Sequence, residues 1–373
     1  KPTHPLLLQA KAAGLAVITD IDLFFQRVKV PVAGVTGTNG KSSVTMMLSI
    51  MAKKSGKRIL VAGNIGNPVL NFTDKDIAEC DFIILELSSY QLALSKDLPL
   101  QAAVNLNIAH DHIDWHGDYQ NYFLAKQRIY NACKIPIMNR DIMQENLDEH
   151  TAAITFGADE AKPGHFGLSK DNEDIYLCYG DRRLVAGSAL TVRGRHNYEN
   201  ALSALALGHA MGLPMTEMIS GLIEFQGLEH RCQWLGVKAG VHWYNDSKAT
   251  NMVATTTAIK SVSQQHSKQI IWLGGGLAKQ EDLSVITNIL RCYVKQVILF
   301  GEDALKLSAH VPAVTQMLIT ESLVDAVKIA FSLAQSQDVI LFSPACASFD
   351  MFDNFEHRGQ VFTEQVMQLV DEQ

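Results

Sequence analysis

Apolar residues in the first half of the chain occur in short runs that are rich in β-branched residues and barely alternate with polar ones. Such runs are typical of strands buried on both faces of a parallel sheet. Amphipathic stretches separate them, which predicts helices and right-handed βαβ units. A helix from Pro5 to Ala13 and a short strand at 15–19 are predicted to come first. The predicted strands after these lie at 30–37, 58–62, 82–85 and 103–108.

Residues 151–195 follow another pattern. Short alternating segments, such as 175–179 and 183–188, predict a small antiparallel insertion. A helix is predicted from Asn197 to Met211, because Gly212 and Pro214 follow as stop signals.

A further α/β module is predicted from about residue 228. Three of its strands run directly into Gly274, Gly301 and Ser343. Open α/β sheets bind ligands just past the carboxyl ends of their strands, so these positions indicate a ligand site. The predicted strands are 241–244, 270–273, 296–300 and 339–342.

Composition narrows the class of protein. The 373 residues suggest two or three domains, and the net charge of -7 without a long basic run argues against a nucleic-acid partner. The six cysteines are scattered, so they match neither a zinc site nor a disulfide framework and suit a reducing cytoplasm. No apolar run reaches the ~18 residues that a membrane span needs.

The stretch TGTNGKSS follows the second predicted strand and opens a helix, as a phosphate-binding loop does. It departs from the usual consensus because Val35 stands where the first glycine belongs. Lys41 would reach the β- and γ-phosphates of a nucleotide, and Ser42 would bind Mg²⁺. The alternative is a glycine turn with an accidental lysine. The predicted site comprises Gly37, Thr38, Asn39, Gly40, Lys41, Ser42 and Ser43.

Two further segments carry candidate metal ligands. Glu86 directly follows a buried strand, and a carboxylate there suits Mg²⁺, although it could simply face water. The segment NIAHDHIDWHGDY contains five candidate ligands, and the turn at Gly117 argues that most are solvated loop residues. We single out His112 as the candidate ligand of a second Mg²⁺. The five are His110, Asp111, His112, Asp114 and His116.

Taken in order, the motifs GTNGKSS, DHxD, AKQRIY, GRHNYEN, GLEHR, NDSKATN and SPACASFDMFDNFEHRG resemble those of the Mur ligases. These are ATP-dependent amide-forming enzymes of bacterial cell-wall synthesis, and their shortened loop T-G-T-x-G-K-[S/T] accounts for the misfit at Val35. The last two motifs are similar to those of the member that joins D-glutamate to UDP-N-acetylmuramoyl-L-alanine. The resemblance covers the chain from about residue 4 to its end.

The resemblance implies an acyl-phosphate mechanism and a set of residue roles. Lys41, Glu86, His112, Lys126 and Lys248 would be catalytic, with Ser42, Glu86 and His112 as ligands of two Mg²⁺ ions. The family carbamylates the lysine that corresponds to Lys126. ATP would also contact Asn197, Asn200, Arg231 and Asp246. The substrates would contact Asn64, Thr250, Lys279, Ser348, Phe349 and Phe355.

The resemblance also implies a domain division. Residues 1–22 would be the remnant of a UDP-binding domain, 23–227 a central P-loop-type parallel-sheet ATPase domain, and 228–373 a Rossmann-like domain that binds the amino acid. We therefore expect a truncated form of a cytoplasmic, monomeric α/β enzyme. Alternatives are another Mur or folylpolyglutamate-type ligase, a fragment that binds ATP without turnover, and a nucleotide kinase, in which the glutamate motifs would have no role.

Overall fold

The computed structural model describes residues 3–109, 111–142, 153–171, 174–192, 194–263, 266, 268–278 and 282–371. The chain forms two compact units, Lys1–Gln226 and Gly227–Gln373. The finer division at residues 22 and 227 stays a prediction.

The first unit is built on a parallel sheet, as the short apolar runs predict. Every residue of β1, β3 and β4 is buried, since helices cover both faces. The strands are ordered β2-β3-β1-β4-β5-β6. Their bounds are β1 Val32–Thr36, β2 Ile59–Gly63, β3 Phe82–Glu86, β4 Ala102–Asn105, β5 Ile135–Asn139 and β6 Ile154–Phe156.

Nine helices occur in the described part of this unit. The helix that opens at the glycine loop, α3, packs against α8 and α9, which close one face of the unit. The helices are α1 Pro5–Ala12, α2 Asp20–Phe25, α3 Lys41–Lys54, α4 Asp74–Glu79, α5 Ser89–Leu94, α6 Ile113–His116, α7 Tyr119–Gln127, α8 Arg195–Ala210 and α9 Met215–Glu224.

The predicted antiparallel insertion is confirmed. It is a separate three-stranded sheet in which β8 pairs antiparallel with both neighbours. Its strands are β7 Phe166–Asp171, β8 Asp174–Tyr179 and β9 Arg182–Ala186.

The predicted strand at 15–19 is wrong. These residues have no regular structure, and Leu15 and Ile18 are exposed. Thr19 instead starts α2 through a capping box with Asp22, which ties two backbone N–H groups to side chains. The apolar residues here therefore precede a helix and do not form a strand.

The second unit carries a six-stranded sheet in the order β10-β11-β15-β12-β13-β14, parallel except for β10. Ser343 lies inside β15, so that strand runs three residues past its predicted end. The strands are β10 Gln233–Lys238, β11 Val241–Asn245, β12 Ile270–Gly275, β13 Val294–Phe300, β14 Gln316–Ile319 and β15 Val339–Ala345. The helices are α10 Met252–Ser263, α11 Val285–Tyr293, α12 Ala304–Ser308, α13 Leu323–Leu333 and α14 Phe355–Asp371.

No helix among the described residues combines the length and the apolar character needed to cross a membrane.

Substitution of Phe24 tests whether α2 packs into the hydrophobic core of the first unit. Its side chain is fully buried among residues of the first sheet, whereas Leu23 beside it is 37% exposed. Phe24→Ala should lower the unfolding free energy of this unit by about 3–5 kcal/mol. Leu23→Ala should change it by less than about 1 kcal/mol. Native-state hydrogen exchange of the β1 amides measures both, and equal small effects would contradict the packing of α2.

Candidate functional site

The turn between β1 and α3 has the backbone that a phosphate site requires. Gly37 and Gly40 have positive φ values of 153° and 83°. A Cβ on Gly37 would stand 2.9 Å from the Cβ of Leu106, and one on Gly40 would stand 2.4 Å from Oδ1 of Asn200. Larger residues therefore cannot replace either glycine without displacing a neighbour. No side chain caps α3, whose N-terminus carries the positive end of the helix dipole.

The segment after β4 holds this turn in place. The backbone N–H of Thr38 donates to the carbonyl of Asn107 at 2.9 Å, and the N–H of Asn39 donates to the Asn107 side chain at 2.9 Å. The Thr38 hydroxyl accepts the N–H of Ala109 at 3.0 Å and lies 2.8 Å from the hydroxyl of Tyr122. The turn is thus fixed before any ligand binds.

Two lysines donate to one carbonyl oxygen of the turn. Nζ of Lys41 lies 2.8 Å from the Gly37 oxygen and 3.0 Å from that of Thr38. Nζ of Lys126, on α7, also lies 2.8 Å from the Gly37 oxygen. The predicted phosphate-binding lysine and the predicted carbamylated lysine therefore meet at the same point.

Lys126 is a buried amine, not a solvated one. It is 2% exposed, and its Nζ lies 5.1 Å from the centre of the Tyr122 ring. Burial, together with the nearby charge of Lys41, lowers the pKa of Lys126 to about 6. Its amine is consequently neutral and nucleophilic at neutral pH. By itself, the sequence favours an exposed helix lysine here.

Glu86 ends β3 beside the turn and is 1% exposed. Its Oε1 accepts the Asn64 side-chain N–H at 2.9 Å, and its backbone carbonyl accepts the Asn64 backbone N–H at 2.8 Å. Oε2 is buried without a hydrogen-bond partner among the described residues. An orphaned carboxylate oxygen is costly, so this atom fits a cation ligand. Ser42 is likewise buried, at the start of α3.

The histidine-rich segment carries His112, whose role as ligand of a second ion stays a prediction. His112 has a left-handed backbone, with φ of 54°, and its ring lies 5.0 Å from that of Tyr90 and 6.2 Å from that of Tyr122. His116 is instead buried, 3.0 Å from the Ser89 hydroxyl. His110 lies outside the described residues. The described residues contain no group of three or more His, Cys, Asp or Glu side chains that could hold a metal ion.

Asn197 and Asn200 lie on α8. Asn200 lies beside the turn, where it packs against Gly40, as described above. Asn197 instead lines a small, mainly apolar crevice where α3 packs against α8 and α9. The crevice has no room for a water molecule, so it is a packing gap that cannot hold a nucleotide base. The crevice is lined by Met47, Leu190, Val192, Asn197, Ala201, Leu222 and Phe225.

In the second unit, Asp246 joins neighbouring segments at the carboxyl edge of the sheet. Its oxygens accept the backbone N–H of Cys232 at 2.9 Å and the Ser343 hydroxyl at 2.7 Å. Burial raises the pKa of Asp246 to about 7. These bonds hold the segment that carries Arg231, where Cys232 has a strained φ of 45°. A contact between Asp246 and ATP stays a prediction.

Lys248 is exposed, and its Nζ lies 4.4 Å from the centre of the Phe355 ring. A cation over an aromatic face is held without losing its charge. Ser348 is 2% exposed and Phe349 72% exposed, so their side chains lie in opposite environments. Thr250 is half-buried. Lys279 lies outside the described residues.

Two residues of the site escaped prediction from the sequence. Tyr122 precedes Lys126 by one helical turn, a spacing that places both on one face of α7 and could have revealed it. Arg358 is fully buried, and it donates from Nε to the Ser247 hydroxyl at 3.1 Å and from Nη2 to the Ser247 carbonyl at 2.8 Å. Charged residues are seldom fully buried, so the sequence gives no signal for Arg358.

Comparison with known proteins agrees with this geometry. Residues 35–208 match the Mur ligase middle domain, and residues 230–346 match the glutamate ligase domain of Mur ligases. The chain belongs to the Mur ligase family.

Particular relatives carry a specific activity in their names. The UDP-N-acetylmuramoylalanine--D-glutamate ligase of Coxiella burnetii is 42% identical over 97% of this chain and 81% of its own length. The enzyme of the same name from Nitrosococcus oceani is 41% identical over 99% and 81%. The MurF ligase of Thermotoga maritima, solved in complex with ADP, shares the fold with a TM-score of 0.69 at 15% identity, over 95% of this chain and 84% of its own.

The depressed pKa of Lys126 predicts a pH-dependent stability. An unfolded lysine titrates near ~10.4, so between pH 6 and that value the unfolded chain binds one more proton than the folded one. The unfolding free energy should therefore rise with pH in this window, by up to ~1.4 kcal/mol per pH unit. Lys126→Met should remove this contribution, and Lys53→Met, at an exposed position, should keep it. Urea denaturation at pH 7 and 9 in CO₂-free buffer measures it, and equal slopes in both variants would contradict a buried neutral amine.

Proposed function

We propose that the protein is an ATP-dependent ligase that joins the carboxyl group of UDP-N-acetylmuramoyl-L-alanine to the amine of D-glutamate. The observation that carries this proposal is the identity of 40–42% with D-glutamate ligases across nearly the whole chain. The glycine turn, Lys41 and Glu86 supply the local chemistry that such a reaction needs.

The chemistry proceeds through an acyl phosphate. A carboxylate oxygen of the L-alanine end attacks the γ-phosphorus of ATP, and ADP leaves with the electrons of the broken P–O bond. The D-glutamate amine, having lost a proton, then attacks the acyl carbon and inorganic phosphate departs. The protein mainly orients the reactants and neutralises their charge.

The turn is suited to hold the triphosphate. Lys41 donates to two loop carbonyls, and a phosphate would offer it better acceptors because charge-assisted hydrogen bonds are the stronger ones. Asn200 places an amide beside the turn at Gly40, and Asn197 precedes it by three residues on α8, so both would serve the nucleotide. Gly37 and Gly40 to Ser43 would contribute backbone N–H groups, because those of Thr38 and Asn39 already donate to Asn107.

The residues present fit Mg²⁺. Oε2 of Glu86 is a buried oxygen without a partner among the described residues, and Ser42 offers a hydroxyl at the start of α3. A bound Mg²⁺ would neutralise charge on the transferred phosphoryl group. His112 would serve a second ion. Because no cluster of three protein ligands occurs in the described chain, phosphate and water oxygens would complete the coordination.

Lys126 is proposed to react with CO₂. Its neutral amine can attack CO₂, lose a proton and become a carbamate, which replaces a neutral group with an anion. The carbamate would keep one N–H on this nitrogen and add two anionic oxygens, so Lys41 would gain an opposite charge nearby. This change would attract Mg²⁺ to the turn.

The second unit would supply the amino-acid site. Thr250, Lys279, Ser348 and the backbone of Phe349 would bind the carboxylates of D-glutamate, with Phe355 as an apolar wall. Arg231, Asp246 and Lys248 would serve the nucleotide and the acyl phosphate. All six cysteines lie in the described part of the chain and are free thiols. We propose a cytoplasmic location. We also propose a monomer.

Lys41 provides the direct test of the reaction. ADP release in the presence of both substrates should require D-glutamate, and L-alanine or a diamino acid should not replace it. Lys41→Ala should lower kcat by at least about 100-fold because the γ-phosphate loses its cation. Lys53→Ala, at the exposed end of the same helix, should leave kcat unchanged. ADP release that does not depend on D-glutamate would overturn the proposal.

The carbamate is tested separately from turnover. Protein equilibrated with ¹³C-bicarbonate near pH 8 should give one slowly exchanging carbamate resonance in its ¹³C spectrum. Lys126→Met should abolish that resonance, and Lys53→Met should retain it. A spectrum that is identical in the wild type and Lys126→Met would refute carbamylation at this position.

A further inference from the structure

Two loops at the carboxyl edge of the second sheet are joined by their backbones. Leu277, after β12, donates its N–H to the carbonyl of Ala347 at 3.0 Å, and Ala347, after β15, donates back at 2.8 Å. Ala347 immediately precedes Ser348, which is proposed to bind a glutamate carboxylate. The place of Ser348 therefore depends on the loop at 276–278.

A third loop, after β13, holds that loop from the other side. Asp303 is 6% exposed, and its Oδ2 accepts the N–H of Ala278 at 2.8 Å. Its own N–H donates to the carbonyl of Gly276 at 3.1 Å. Asp303 stands at the N-cap of α12, yet its side chain makes no capping bond there. An aspartate at an N-cap ordinarily accepts N–H groups of its own helix, so this one is committed to the neighbouring loop.

The carboxylate of Asp303 stays ionised. Lys306, 2.6 Å away, lowers the pKa of Asp303, and the Lys306 side chain is itself 69% exposed. An ionised carboxylate accepts a backbone N–H more strongly than a neutral group does. The ion pair and the loop contact use different oxygens, Oδ1 and Oδ2 respectively, so they can be separated by mutation.

Close backbone contact transmits any displacement between these loops. A Cβ on Gly276 would stand 2.2 Å from the Ala347 carbonyl oxygen, and one on Gly301 would stand 2.6 Å from Oδ2 of Asp350. Asp350 Oδ2 also accepts the N–H of Glu302 at 3.1 Å. The loops are in close contact, because no side chain larger than hydrogen fits at either glycine without displacing a neighbour.

We infer that Asp303 is a positioning residue for amino-acid binding: it fixes residues 276–278, which through the Leu277–Ala347 bridge fix Ser348 and the backbone of Phe349. This inference rests on the proposed D-glutamate site. Asp303 itself touches no substrate in this assignment.

The test separates binding of the amino acid from binding of ATP. Asp303→Ala should raise the KM for D-glutamate about tenfold and leave the KM for ATP within about twofold. Asp303→Asn, which keeps an acceptor for the N–H of Ala278, should raise the KM for D-glutamate by no more than about threefold. Lys306→Gln is the matched control: it breaks the ion pair, leaves the loop contact, and should match the wild type within about twofold.

Stability is controlled with a second variant. Asp303→Ser cannot reach Ala278, but serine is a favourable N-cap residue for α12. It should raise the KM for D-glutamate as Asp303→Ala does while retaining the thermal midpoint, and it replaces the alanine variant if that fails to fold. An unchanged KM for D-glutamate in the serine variant would overturn the inference, as would equal rises for D-glutamate and ATP. A Lys306→Gln variant as impaired as Asp303→Ala would assign the effect to the ion pair and also overturn it.

Failure of this inference and failure of the proposed function give different results. Wild-type ADP release that is independent of D-glutamate rejects the proposed reaction itself. D-glutamate-dependent release in the wild type, with an unaltered KM in Asp303→Ala and Asp303→Ser, rejects only the role of Asp303.

Discussion

The first unit depends on the backbone of one turn, at which the carbonyl of Gly37 accepts hydrogen bonds from two lysine amines. One carbonyl cannot stabilise two nearby cations in a buried place, so the deeper amine, that of Lys126, loses its proton most readily. Parallel strands bring the turn, Glu86 and the segment after β4 to one edge of the sheet. The chemical character of each group follows from that crowding.

The second unit also carries a six-stranded sheet, but its loops are held in place in a different way. In the described part of its carboxyl edge, neighbouring loops bind one another through backbone bonds and buried carboxylates. Asp246 holds the Cys232 segment and Asp303 holds the loop at 276–278. The backbone of these loops thereby gains fixed positions.

The sequence predicts the parallel sheets, the glycine turn and the strand-end position of Glu86, because short apolar runs and glycines report local constraints. It does not predict that Lys126 is buried, since a lysine on a helix looks the same whichever face it occupies. Arg358 and Asp303 are missed for a related reason: each is buried through bonds to a loop distant in sequence, Ser247 for Arg358 and the Ala278 backbone for Asp303. The failed strand at 15–19 shows that a short apolar run means little without a neighbouring strand to pair with.

Arg358 donates two hydrogen bonds to Ser247, so the helix that carries it, α14, contributes to the site. Since α14 carries Arg358 and begins with Phe355, whose carbonyl accepts the Ser247 hydroxyl at 2.8 Å, the loop with Lys248 can settle only after α14 has been synthesised. Release from the ribosome before α14 is complete would therefore leave that loop without these bonds.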